Sequence, residues 1–257
     1  MGPKMYLPSM DLHIHTELSG HAHQGTDVRS VIQVIHNIHL SVAAITEHVE
    51  KSSDAWRINT IRNVIKELSA VDIMVGAEIA ADPIHMDGRL VIPPSLPDVD
   101  IVIATIHHYP GTTCYWYENL LYSSTAKEAL LNQWLEWSVA IVSSGHVDIL
   151  AHPGLLLLKT GMIWDDTLIS AFEKLLLACK AYQVAFELNE SLFRKFNPEQ
   201  LNGYKQVFCL AKELGVKISL GSDAHSLDEI GFFPWSRKII DELELSESDF
   251  ISFNRGK

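Results

Sequence analysis

Seven short apolar runs, nearly every one closed by His, Asp or Glu, constrain this chain more than any other feature of it. They fall at 10–15, 42–46, 72–79, 99–106, 147–151, 184–188 and 217–220 and favour Val and Ile, whose branched side chains suit a pleated strand. Helical periodicity fills the intervals at 27–39, 54–68, 126–142, 166–182 and 198–214. Several of these stretches open on a Ser, Thr, Asp or Asn able to cap the first N–H groups. Strands alternating with helices predict a parallel β/α architecture. The runs are almost continuously apolar, as strands are when both faces are covered or the sheet closes on itself. A β/α barrel of about seven strands fits.

The 257 residues suffice for one core, and barrels of this length commonly form one domain, so a single domain over 1–257 is expected. The segment 82–97 breaks the rhythm with Pro83, Pro93, Pro94 and Pro97. Proline withholds a ladder donor, so this is an excursion near the site rather than a strand. A net charge of −12 argues against extended nucleic-acid binding, which needs clustered Lys and Arg. A small substrate is the expected partner. Cys114, Cys179 and Cys209 are widely separated, without the paired C-x-x-C spacing of a zinc knuckle or redox motif. There is no basic stretch followed by an apolar signal region, and no apolar run of membrane-spanning length. A soluble, cytoplasmic protein is expected, and nothing in the sequence speaks to its oligomeric state.

The ionisable residues carry the chemistry. The first run ends in Asp11-Leu12-His13-Ile14-His15, the second in Thr46-Glu47-His48 and the third in Gly76-Ala77-Glu78. The fourth gives His107-His108, the fifth Ala151-His152-Pro153 and the sixth Glu187-Leu188-Asn189. The seventh gives Gly221-Ser222-Asp223-Ala224-His225. In a β/α barrel the C-terminal strand ends converge on one face, where active sites are built. The two-residue period points His13 and His15 to the same side, and likewise Asp223 and His225. Imidazoles sharing carboxylates suit zinc, manganese or iron. A lone His at a strand end is ordinarily a hydrogen-bonded structural residue. Many converging at one mouth without metal would strand polar groups beside one another. His36 and His39 read as ordinary surface or packing residues, and His23, His85 and His146 as loop residues of open role. His108 should point away if His107 faces the metals, which leaves it to touch substrate.

Taken in order, these motifs, with His21 between the first two, resemble the polymerase and histidinol phosphatase (PHP) family over essentially the whole chain, its free-standing phosphatase branch in particular. The resemblance implies a distorted (β/α)7 barrel with its site at the C-terminal strand ends and up to three divalent metals, Zn, Mn or Fe. It implies a first metal on His13, His15, Glu78 and Asp223, and a second on Glu78, His107 and His152. A third would use His21, His48 and His225. One departure is Glu47, where the family usually has Asp; the longer side chain could alter ligand geometry or metal choice.

The stretch 186–195 also resembles the family's Glu-Ile-Asn strand followed by a basic pair. Arg194 is the candidate phosphate clamp, since a guanidinium binds two phosphoryl oxygens at once. The bland alternative is an exposed solubilising Arg. Asn189 would touch substrate or support the barrel rim. The expected reaction is hydrolysis of a phosphate monoester by a hydroxide bridging two metals, with Glu78, Asp223 and Arg194 as the catalytic set. Asp223 and His225 are the candidates for general acid. No Ser or Cys nucleophile motif is present. Three alternatives stay open: a metal-dependent amidohydrolase, a non-catalytic metal-binding accessory protein and an exonuclease-like phosphodiesterase. Against the first, such enzymes commonly use a Lys ligand late in the barrel, whereas here His21, His48 and His225 supply a third-metal set better suited to phosphate. The last would use the aromatic cluster from Tyr109 to Tyr122 to stack a base.

Overall fold

The computed structural model of the protein describes residues 8–70, 72–93, 96, 98–118, 124–158 and 160–253. Seven strands form one sheet: β1 (Met10–Ile14), β2 (Val42–Val49), β3 (Ile73–Ala80), β4 (Ile101–Thr105), β5 (Ile149–Leu150), β6 (Ala185–Asn189) and β7 (Ile218–Gly221). They pair in sequence order, each neighbour parallel to the next. The helices are α1 (Val28–Asn37), α2 (Ala55–Leu68), α3 (Ser124–Ser143), α4 (Asp166–Tyr182), α5 (Glu190–Phe193), α6 (Pro198–Leu214) and α7 (Pro234–Glu242).

The sheet closes into a barrel at its C-terminal rim. The His15 N–H donates to the Ala224 carbonyl at 3.0 Å and the Asp223 N–H to the His13 carbonyl at 2.8 Å. Closure is therefore made by the residues that carry the chemistry, just beyond the ends of β1 and β7. The Asp11 carboxylate reinforces it from below, accepting the N–H groups of Ser222 and Gly231, each at 2.9 Å.

The expected barrel is thus present, with local chemistry as its cause. Asp27 caps α1 by accepting from the N–H groups of Arg29 and Ser30, and Asp165 caps α4 in the same way. A capping box of Asn197 and Gln200 with Pro198 in the first turn opens α6. Buried side chains divide into a larger cluster under α3, α4 and α6, centred on Trp134, Phe172, Phe186 and Tyr204, and a smaller one under α1 and α2.

Sequence periodicity places β5 at 147–151, yet only Ile149 and Leu150 pair with both neighbours. The short helix α5 follows directly from β6, where Asn189 caps it by accepting the Leu192 N–H. In the proline-rich excursion, Ala81 bridges Leu90, and the Gly111 N–H donates to the Pro83 carbonyl. The excursion thereby props the loop after β4. Pro94 and Pro97 lie outside the described residues, as does Tyr122 of the aromatic cluster. Among the described residues, no helix is long and apolar enough to cross a membrane.

Candidate metal centre

The strand ends meet in one cluster. His13 and His15 share a side of β1 with their Nε2 atoms 3.0 Å apart. The buried Glu78 carboxylate is the hub between segments. Its Oε1 lies 2.9 Å from His152 Nε2, 3.4 Å from His107 Nε2 and 3.7 Å from His13 Nε2. Its Oε2 lies 2.6 Å from His48 Nδ1 and 3.5 Å from His15 Nε2. Asp223 Oδ1 stands 3.4 Å and 3.6 Å from the Nε2 atoms of His15 and His13. At the rim, His21 Nε2 is 2.8 Å from His225 Nε2 and 3.4 Å from His48 Nε2. Every His, Asp and Glu that the sequence proposed as a ligand is in this cluster. Two of them, His152 and Asp223, take left-handed backbone angles, with φ of 27° and 55°. These turn the chain sharply at the ends of their strands.

Donor atoms of His13, His15 and Asp223 lie within 4.8 Å of one another, as do those of His13, Glu78 and His152, those of His15, His48 and His225, and those of His48, Glu50 and His107. Zinc ligands at about 2.0–2.3 Å in a tetrahedron are roughly 3.3–3.8 Å apart, so these groups have the span of metal sites. Buried polar atoms without hydrogen-bond partners give an independent test. His15 Nδ1 is such an atom, and His48 Nδ1 and Glu78 Oε2, though 2.6 Å apart, are not aligned in a hydrogen bond with each other or with any other group. Leaving them so is costly unless a cation is the partner. The donor set therefore fits divalent ions.

The electrostatics agree. Burial would push the Glu78 carboxyl up, but His48, His107 and His13 hold it well below its ordinary range. Asp223 is likewise depressed, against burial, by His13, His15 and His225. Burial and the charges of His48 and His225 lower His15 well below the usual imidazole value and bring His21 down to about 4. His15 and His21 are thus neutral beside ionised carboxylates, the forms that bind metal. Against burial, by contrast, Glu187, Asp223 and Glu78 raise His13, and Glu78 and Glu50 raise His107, so these two rings must give up a proton to an incoming ion.

Other site residues stand behind the cluster. Glu187 Oε1 faces His13 Nδ1 at 2.7 Å, and its Oε2 accepts the His152 N–H at 2.5 Å. Glu47 points away from the cluster and accepts both the N–H and the hydroxyl of Thr16 at 2.6 Å. It holds the segment after His15 rather than any ligand ring. Glu50 faces His107 Nδ1 at 3.1 Å and accepts the Tyr115 hydroxyl at 3.1 Å. The sequence reading quoted Glu187 without a role and passed over Glu50, which belongs to no motif.

The proposed substrate residues are placed less simply. The Arg194 guanidinium is engaged by Glu229, whose other oxygen accepts the His225 N–H at 3.0 Å. Its neighbour Lys195 stands 5.4 Å over the Trp116 ring, bonded to the Ser191 hydroxyl at 2.6 Å, with no carboxylate within 4.0 Å among the described residues. Asn189 is fully buried, donates to Glu187 and caps α5, so it supports the rim. His108 belongs to none of the metal-competent groups and packs on Tyr115 with ring centroids 4.0 Å apart. Outside the cluster, His36 and His85 lie on the surface beside Asp72 and Asp82.

A cleft of about 440 Å³ opens from the cluster. His21, His48, Glu50 and His107 form its floor, Tyr115, Trp116 and Tyr117 one wall, and Lys51, Asp54 and Arg57 the other. Tyr115 and Tyr117 stack nearly parallel, 5.4 Å apart.

A closed parallel β/α barrel with histidines and carboxylates gathered at its C-terminal mouth defines a β/α-barrel protein with a candidate metal centre. The chain belongs to the PHP domain family, whose sequence pattern matches residues 11–191. It is 27% identical over 252 residues to a protein of Thermoanaerobacter pseudethanolicus named a probable phosphatase, covering 96% of this chain and 91% of that one. It is 28% identical over 248 residues to a probable phosphatase of Aliivibrio fischeri, covering 95% and 88%. Among solved structures, it resembles a histidinol phosphate phosphatase from Lactococcus lactis determined with zinc, L-histidinol and phosphate. That likeness has a TM-score of 0.66 at 19% identity, over 94% of this chain and 95% of the other.

Proposed function

We propose that the chain is a metal-dependent phosphatase that hydrolyses a phosphate monoester of a small molecule. The carrying observation is the convergence of five imidazoles, from His13, His15, His48, His107 and His152, on the two oxygens of Glu78. His13, His15, Glu78 and Asp223 would hold one ion, Glu78, His107 and His152 a second, and His21, His48 and His225 a third, of Zn, Mn or Fe. Such ions lower the pKa of the water they carry and neutralise charge on phosphoryl oxygens.

The chain's own residues supply position. Glu187 fixes His13 so that its Nε2 faces Glu78 and Asp223. Arg194 braces the loop bearing Asp223 and His225 through Glu229. Lys195, beside Trp116 of the cleft wall and with no carboxylate within 4.0 Å among the described residues, is a cation available to an anionic substrate, with Lys51 and Arg57 on the other wall. The leaving group occupies the cleft against Tyr115 and Tyr117. The relatives named phosphatases and the phosphatase structure with bound phosphate support this chemistry.

The test is release of inorganic phosphate from a panel of monoesters, including histidinol phosphate and nucleotides, with manganese or zinc added and a chelator control. Chelator-sensitive release that His13→Ala or Glu78→Gln abolishes in folded protein is the expected result. No release with any metal would overturn the reading and move the weight to C–N bond hydrolysis.

A further inference from the structure

We infer that Glu50 is a positioning residue of the metal centre, and that Tyr115 ties the aromatic wall of the cleft to that centre through it. The inference rests on the metal-centre part of the reading above and not on the identity of the substrate. His107 stands between two carboxylates, with Nε2 3.4 Å from Glu78 and Nδ1 3.1 Å from Glu50. A neutral imidazole carries one N–H. When Glu50 accepts it at Nδ1, the Nε2 lone pair is left facing Glu78 and the interior of the cluster.

Among the proposed ligand histidines, only His13 and His107 have a described carboxylate from outside the ligand set behind the ring, Glu187 at 2.7 Å and Glu50 at 3.1 Å. Both braced rings face the same oxygen of Glu78, Oε1, at 3.7 Å and 3.4 Å. A surface ion pair does not account for Glu50, which has no Lys or Arg within 4.0 Å among the described residues. Its second oxygen is held by the Tyr115 hydroxyl at 3.1 Å. Tyr115 is itself fixed, because it bridges His108 and because the Trp116 N–H donates to the His107 carbonyl at 2.8 Å. One loop thus supplies both the imidazole and the phenol that Glu50 joins, so whatever displaces the Tyr115 wall bears on His107.

The test uses the full chain without substrate. Zinc and manganese affinities are measured by competition with a chromophoric chelator for the wild type, Glu50→Ala, Glu50→Asp and Tyr115→Phe. The protonated ring nitrogen of His107 is read from nitrogen-15 spectra of the zinc-loaded protein. Losing such a supporting carboxylate is expected to weaken the affected ion about 10–100-fold. A smaller loss is expected for Tyr115→Phe and partial recovery for Glu50→Asp, with the His107 proton on Nδ1 in the wild type. Affinities within twofold of wild type in both Glu50→Ala and Tyr115→Phe, or a proton on Nε2 of His107, would overturn the inference. If Glu50→Ala does not fold, Tyr115→Phe decides, since it removes only a hydroxyl. A chain whose metal affinity depends on Glu50 but which hydrolyses no monoester upholds the inference and sinks the phosphatase reading. A wild type that takes up no ion sinks both.

Discussion

The Glu187 carboxylate meets the His13 ring at 2.7 Å across 174 residues of sequence. It also holds the His152 N–H and the Asn189 amide, so one side chain from β6 fixes parts of β1, β5 and the rim. Glu187→Gln keeps the size but leaves one acceptor oxygen for two sets of donors, so its NH2 must face either the His13 ring or the His152 N–H. It is expected to lower metal affinity about 10–100-fold, with the barrel intact. Metal titration beside circular dichroism checks this. Wild-type affinity in the variant would show that His13 is oriented by packing alone.

Gly221 makes that pair possible. A Cβ built on it would stand 2.2 Å from Glu187 Oε1 and 2.6 Å from the His13 Cβ, closer than real atoms approach. Gly221→Ala must therefore push the two apart or move β7, and overpacking of this kind costs about 1–3 kcal/mol. Reduced stability to urea together with lost metal uptake is expected. Retention of both would mean that the rim yields more easily than its hydrogen bonds suggest.

These two residues show where sequence reading ran out. The strands were legible because continuous apolar runs have few other uses, and the candidate ligands were legible because each sits at a run's end, except His21, which only the family resemblance singled out. Glu187 sat in plain view in a motif, but its role depends on which way β6 faces His13. Glu50 follows β2 and meets His107 57 residues later, a pairing that no local pattern encodes. Arg194 and Lys195 are adjacent, so which one faces the mouth depends on how α5 ends. In the structure the former engages Glu229 and the latter lies over Trp116. The short β5 escaped because periodicity reports burial rather than strand pairing.

The chelator-treated protein should lose stability in acid through Glu50. Burial would raise its carboxyl, but His107, His48 and Tyr115 outweigh it and bring the group to about 2. His107, despite burial, is raised to about 10 by Glu78 and Glu50, so it carries the opposing charge. A carboxylate depressed on folding contributes stability above its unfolded value of 4.5. That contribution is lost as pH falls from about 4.5 towards 2. Melting temperatures across this window should fall less steeply in Glu50→Gln than in the metal-free wild type. Parallel curves would mean that the pair is screened by water.

Lys195 offers the sharpest test of how substrate is held. Its ammonium lies on the Trp116 face, where burial lowers its pKa below the ordinary lysine value and the Asp223 carboxylate offsets part of that shift. By contrast, Arg194 is committed to Glu229. A charge-assisted hydrogen bond to a phosphoryl oxygen contributes about 1.5–3 kcal/mol. Lys195→Met should therefore raise KM for phosphate monoesters, and weaken inhibition by inorganic phosphate, by roughly tenfold or more. The maximal rate should change less, because the metal ligands are untouched. Lys195→Arg should recover part of the affinity, and Lys238→Met, an exposed cation on α7, should change neither constant. If Lys195→Met behaves as wild type while Arg194→Met loses phosphate inhibition, the guanidinium must leave Glu229 when substrate arrives, and the clamp is Arg194 after all.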